Sequence, residues 1–153
     1  MSFDLVIRGA RVVDGSGLPA YIADVGIRGE RIGRIGRITE PAPQEIDGTG
    51  LVLAPGFIDV HTHYDVQLDW DPTASPASWH GVTTVLVGNC GFTLTPAKPE
   101  DVDWLAGMLS RVEGMSRAAL GEGLRFSGGG FADYWGRFDG NLGVNVGLSL
   151  IHI

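Results

Sequence analysis

The sequence predicts an α/β chain in two parts: a small all-β unit over residues 1–54, then the start of a β/α architecture over residues 55–153. Three observations predict it. Short β-branched runs separated by glycine-containing turns fill the first third. Phe57 to Val60 and Val82 to Val87 are apolar runs that read as strands buried on both faces, and Val144 to Ile151 is a third. Between them lie polar or helix-patterned connections, the rhythm of strands alternating with helices.

Within the first unit, Phe3 to Arg8 reads as one strand and Arg11-Val12-Val13 as another, across Gly9-Ala10. Asp14-Gly15-Ser16-Gly17 carries turn chemistry. Tyr21 to Arg28 and Arg31 to Ile35 pair as a hairpin around Gly29-Glu30. Glu45 to Asp47 and Leu51 to Leu53 complete the unit around Gly48 and Gly50. Arg28, Arg31, Arg34 and Arg37 recur every third residue, which scatters them over both faces of a strand pair and marks it as solvated. Ala54-Pro55-Gly56 is a sharp break. Residues 65–80, with Pro72 and Pro76, read as loop with some helix. Asp101 to Leu109, with Asp101 as its cap, Gly114 to Leu120 and Phe131 to Phe138 read as short helices. Gly128-Gly129-Gly130 reads as a flexible joint; no Lys-Ser or Lys-Thr follows, so it is not a phosphate loop.

The length of 153 residues allows one ordinary domain and falls short of the roughly 250 of a complete barrel enzyme. There are 24 glycines, about twice a typical share, which favours a β-rich start. Lysine and arginine number 11 against 18 acidic residues, a net charge of -7 that argues against a nucleic-acid partner. Cys90 is the single cysteine, so no intrachain disulfide forms, as suits a reducing compartment. Met1-Ser2-Phe3-Asp4 lacks the basic and apolar regions of a signal peptide. No run approaches the 18 or so apolar residues of a membrane span. A soluble, cytoplasmic protein with no membrane partner is the expectation.

His61-Thr62-His63 carries the chemistry. On a strand the two imidazoles share a face, roughly 6–7 Å apart along the backbone, and two imidazoles at a strand end can grip one transition metal. Asp59 alternates onto the same face, where a carboxylate joins a metal or holds an imidazole by its second nitrogen. Tyr64 and Asp65 follow directly. Cys90, between Asn89 and Gly91 after the second apolar run, shares that rim if the two strands are neighbours; otherwise it is a small buried hydrophobe. Asn89 orients a ligand or caps a turn. Trp70 is near enough to line a pocket. His80 stands at the wrong end of its strand. Arg111, Glu113 and Arg117 read as surface charge on helices. His152 ends the third apolar run. A bound zinc would serve amide hydrolysis, which also needs a proton shuttle to the leaving nitrogen, and no carboxylate here is convincing in that role.

Pro55-Gly56-Phe57-Ile58-Asp59-Val60-His61-Thr62-His63 resembles the first barrel strand of the metal-dependent amidohydrolase superfamily. Gly88-Asn89-Cys90-Gly91-Phe92, Val112-Glu113-Gly114-Met115 and Asn145-Val146 resemble its N-acyl-D-amino-acid deacylase (D-aminoacylase) branch, and Phe3 to Gly9 that branch's small β-domain. The resemblance implies an incomplete (β/α)8 TIM-like barrel, about its first three strands, preceded by a small β-sandwich-like domain. It implies zinc-dependent hydrolysis of a small N-acyl-D-amino acid to a carboxylate and a D-amino acid. It implies Cys90 as a ligand of the tightly held zinc and His61 and His63 at the neighbouring metal position. Two further histidines and the acid–base aspartate would lie downstream of residue 153. His152 would align with a family histidine, although Ile151 stands where a glycine is expected. Two alternatives stand beside this reading. One is an amidohydrolase of cyclic amides or ureides, dihydropyrimidinase- or dihydroorotase-like, disfavoured by Cys90 and by a sole lysine, Lys98, in a Pro-flanked loop. The other is a metal-binding fragment without catalysis. Three strands of eight leave an open edge, so these residues alone are expected to be poorly stable and inactive.

Overall fold

The computed structural model of the chain describes residues 2–149; His152 and the rest of the Leu150–Ile153 tail lie outside them. The chain forms two compact units that part between Pro55 and Gly56.

The first unit is a five-stranded sheet built on β1 (Leu5–Val12). β2 (Tyr21–Arg28) runs antiparallel to β1, and β3 (Arg31–Gly36) antiparallel to β2. On its other side β1 takes two short parallel partners in turn, β4 (Gln44–Asp47) and β5 (Val52–Leu53). The two strands expected across Gly9-Ala10 are therefore one. Gly9 sits at φ +61° and the register shifts between Ile7 and Ala10, so the chain bulges and continues. Asp24 secures this point by accepting from the Gly9 amide at 2.9 Å and the Ile38 amide at 3.0 Å. Those two amides hold its carboxyl below the usual range. Small apolar clusters occupy the sheet, one around Phe3, Val6 and Ile38, the other around Val12, Ala23 and Val25.

The second unit carries a three-stranded parallel sheet, β6 (Phe57–Thr62), β7 (Val82–Val87) and β8 (Asn145–Leu148), in that order. β7 is central, and Val85 and Val87 are fully buried. β6 is an edge. Phe57, Ile58 and Val60 are exposed, so the two-sided burial its apolar run predicts is not realised: β7 covers one side and no strand among the described residues pairs the other. The connection from β7 to β8 contains α1 (Val102–Glu113), α2 (Arg117–Gly123) and α3 (Phe131–Gly136). α1 runs four residues past its expected end, to Gly114 at φ +65°. Asp101 precedes it without a side-chain cap bond. α2 begins later than expected because Ser116 caps it, accepting from the Ala119 amide at 3.0 Å. The glycine run is an ordered junction rather than a loose joint: Gly129 and Ala97 exchange backbone bonds, and the Gly130 amide donates to Asp133. Leu68, Leu94, Leu109, Leu120 and Tyr134 form the core with β7.

Between β6 and β7 the chain makes two 3-10 turns, Gln67–Asp69 and Ala77–His80. Asp71 knots this loop. Its carboxylate accepts from the Gln67 amide nitrogen, the Thr73 hydroxyl, and both the amide and hydroxyl of Ser75. Burial pulls its pKa up, but the bonds from Ser75, Thr73 and Gln67 outweigh that and hold it well below the carboxylate range. A depressed folded pKa contributes stability that is present above the unfolded value and lost as pH falls through it. Asp71→Asn should therefore lose about 2 kcal/mol near neutral pH. The gap to wild type should narrow as pH drops below about 4. Urea melts at a series of pH values check this; a gap that widens on acidification contradicts it.

Candidate metal centre

β6 ends in an irregularity. Its register against β7 slips between Asp59 and Thr62, and the buried Thr62 hydroxyl repairs the ladder by donating to the Leu86 carbonyl at 2.8 Å. Strand slips of this kind re-aim side chains at functional rims. Here they leave the His61 and His63 rings nearly parallel, centroids 5.6 Å apart and planes at 12°.

Cys90 comes from the turn after β7. Gly88, at φ +77°, makes that turn possible: an added Cβ would stand 2.6 Å from the Ser149 carbonyl oxygen. The Gly91 amide closes the turn on the Gly88 carbonyl at 3.0 Å. The side-chain amide of Asn89 donates to the Val60 carbonyl at 2.7 Å, tying the turn to β6. Asn89 is thus a clamp between the two strand ends. The sulfur accepts from the Phe92 amide at 3.4 Å.

These two devices bring His61, His63 and Cys90 together. One ligand atom from each lies within 4.8 Å of the others. Ligands around one tetrahedral zinc stand roughly 3.5 Å apart, so the three atoms stand near the spacing that one shared ion needs. Two imidazoles and a sulfur are a donor set that suits zinc.

Other expected residues fall around this point in different ways. Asp59 and Tyr64 line the same cleft of about 380 Å³, with Val112 and Glu113. Asp59 accepts from the His61 backbone amide at 3.2 Å and holds no imidazole. That role belongs to Glu113, which meets His63 Nδ1 at 2.6 Å, so Glu113 is not plain surface charge. Tyr64 is raised from the ordinary phenol value, first by burial and then by Asp59 and Asp71. Asp65 is fully buried, and neither carboxylate oxygen has a hydrogen-bond partner. Burial pushes its pKa up. Trp70 does not line the cleft but packs where Gly123 leaves room for its ring. His80 is exposed, and Arg117 pairs with Asp103. A larger groove of about 620 Å³ follows α1 past Trp104 and Arg111; it contains none of the three convergent residues.

The sequence profile of the amidohydrolase family matches residues 44–139, more than half of the chain. The chain belongs to the amidohydrolase family. Its homology is to the D-aminoacylase branch of these amidohydrolases. D-aminoacylase of Alcaligenes xylosoxydans xylosoxydans is 47% identical over 95 residues, covering 61% of this chain and 20% of that protein. A solved D-aminoacylase with a binuclear metal centre superposes with a TM-score of 0.76 at 34% identity, over 97% of this chain and 29% of its own. N-acyl-D-glutamate deacylase of Bordetella bronchiseptica was solved with zinc and a phosphonate mimic of the tetrahedral intermediate. It gives 0.74 at 32% identity, over 98% of this chain and 30% of its own. The amidohydrolase chain thus spans less than a third of each of these relatives. Over that span its architecture is the expected one, an incomplete TIM-like barrel preceded by a small β-sandwich-like unit.

Proposed function

We propose that the full-length protein is a zinc-dependent hydrolase that cleaves N-acyl-D-amino acids to a carboxylate and a free D-amino acid. The observation that carries this reading is the convergence of His61, His63 and Cys90 at one rim, in a chain homologous to D-aminoacylases. In this reading the three residues hold the metal at the carboxyl ends of β6 and β7, where barrel enzymes keep their active sites. When bound there, zinc polarises the scissile carbonyl and makes water more acidic. Asn89 holds the Cys90 turn against β6, and Asp59 fixes the His61 backbone, so the donors keep their spacing without substrate. Tyr64, which lines the same cleft, would in this reading meet the polar part of a small substrate. This reading expects the acid–base aspartate downstream of residue 153.

The test uses the purified full-length protein, stripped with a chelator and then reloaded. It should release D-amino acid from N-acyl-D substrates, lose that activity on stripping and recover it with zinc. The N-acyl-L series should be cleaved poorly. Preference for a cyclic amide or ureide would overturn the substrate class and leave a different amidohydrolase. Stoichiometric zinc without turnover on any of these would reduce the site to metal binding.

A further inference from the structure

We propose that Glu113 is the positioning residue of this metal centre: it fixes the ring of His63 by Nδ1 and so presents Nε2 as the donor. This rests on the metal reading above and adds to it a residue contributed by α1. The 2.6 Å contact joins positions 50 residues apart, and both side chains are 23% exposed. A carboxylate only accepts, so in the neutral imidazole that binds a metal this contact requires the hydrogen on Nδ1 and leaves the lone pair on Nε2. An imidazole held this way keeps one tautomer and one orientation.

Three further observations favour this role over an incidental ion pair. Glu113 is the last residue of α1, where a negative charge opposes the helix dipole, so the local helix does not favour it. The turn that carries it is built to hold still: Gly114 takes the left-handed conformation, and the Ser110 hydroxyl donates to the Met115 carbonyl at 2.6 Å. Asp59, the other carboxylate lining the cleft, is already committed to the His61 amide. Glu113 is not one of the three convergent residues, so it acts through His63. α1 therefore ends at the rim of the cleft, and its last turn supports the site.

The experiment reads the His63 ring nitrogens by NMR in full-length protein carrying 15N-histidine, without metal, and then measures zinc affinity by competition with a chromophoric chelator. Glu113→Ala and Glu113→Gln are compared with wild type and with Arg111→Ala, an exposed change two residues earlier on α1. Wild type and Arg111→Ala should show hydrogen on Nδ1. Glu113→Ala should move it toward Nε2 and weaken zinc by about 10–100-fold. Glu113→Gln, whose amide oxygen still accepts, should keep most of the tautomer and lose less affinity. If Glu113→Ala leaves the tautomer and the zinc affinity as in wild type, the proposal is overturned. Wild type that binds no zinc would sink the function proposed above, while a tautomer shift in Glu113→Ala would still support the positioning role. Should Glu113→Ala fail to fold, Glu113→Leu, which removes the acceptor and refills the volume, decides in its place: unchanged affinity and an unchanged ring signal overturn the proposal.

Discussion

Replacing Cys90 with alanine should weaken zinc binding by more than about 100-fold, a larger loss than from either histidine. The three donors are held unequally. Cys90 stands on a turn closed by the Gly91 amide on the Gly88 carbonyl and tied to β6 by Asn89 on Val60, with the Phe92 amide donating to its sulfur. Its sulfur is already in place, so binding loses little entropy there. His63 is held through its ring by Glu113. His61 is exposed, and its hydrogen bond to Asp59 fixes the backbone rather than the imidazole. The expected order of loss is Cys90→Ala, then His63→Ala, then His61→Ala. Cys90→Ser separates the sulfur from the turn, because a hydroxyl of similar size keeps the backbone but is a poor ligand. Zinc affinity and release of D-amino acid by the full-length protein should fall together. Cys90→Ala protein that holds zinc as wild type does would make the cysteine an ordinary turn residue and leave the histidines without their soft partner.

Much of this site was legible in the sequence because its two halves are local patterns. Period-two alternation puts His61 and His63 on one face, and a strand followed by Gly-Asn-Cys-Gly puts Cys90 at a strand end. Their meeting required β6 and β7 to be neighbours, which a short β/α connection favours. Glu113 was not legible, since its partner lies 50 residues away and helix α1 had to extend four residues beyond the expected end. A signal was present: an acidic residue immediately before a C-capping glycine works against the helix dipole, so something else must hold it. Asp59 drew the role that Glu113 fills because alternation gives a face but not the distance to a ring. The bulge in β1 misled for a related reason. Gly9-Ala10 breaks the alternation in a strand exactly as a turn does, and only the pairing with β2 shows that the strand continues. The buried ion pair of Asp69 and Arg137 gave no local sign at all, being made between a 3-10 turn and the residue that follows α3, 68 residues apart.

Arg137→Ala should cost about 3–5 kcal/mol of folding stability, the largest effect expected away from the metal centre. Arg137 donates from Nη1 to Asp69 at 2.7 Å and from Nε to the Tyr134 carbonyl at 3.1 Å. Its guanidinium lies over the rings of Tyr134 and Phe138 at 4.5 and 4.6 Å and reaches Phe126 at 5.2 Å. Removing it takes away those ring contacts and leaves the Asp69 carboxylate, whose side chain is only 1% exposed, with the Arg125 amide as its remaining donor. Burial already raises the Asp69 pKa against the pull of Arg125 and Arg137. A raised folded pKa means that a proton stabilises the folded state: the contribution is present below the unfolded value and lost as pH rises through the folded one. Without Arg137 that pKa climbs further, so the penalty should be largest at neutral pH and shrink as pH falls toward 4. Two measurements separate this from loss of bulk. Urea melts of Arg137→Ala against wild type should converge on acidification. The double variant Asp69→Asn with Arg137→Met should be more stable than Arg137→Ala alone, because it removes both charges and refills the volume. If the double variant is as unstable as the single one at every pH, the energy resides in the ring contacts of Arg137, and the ion pair contributes little beyond fixing the loop after β6 against α3.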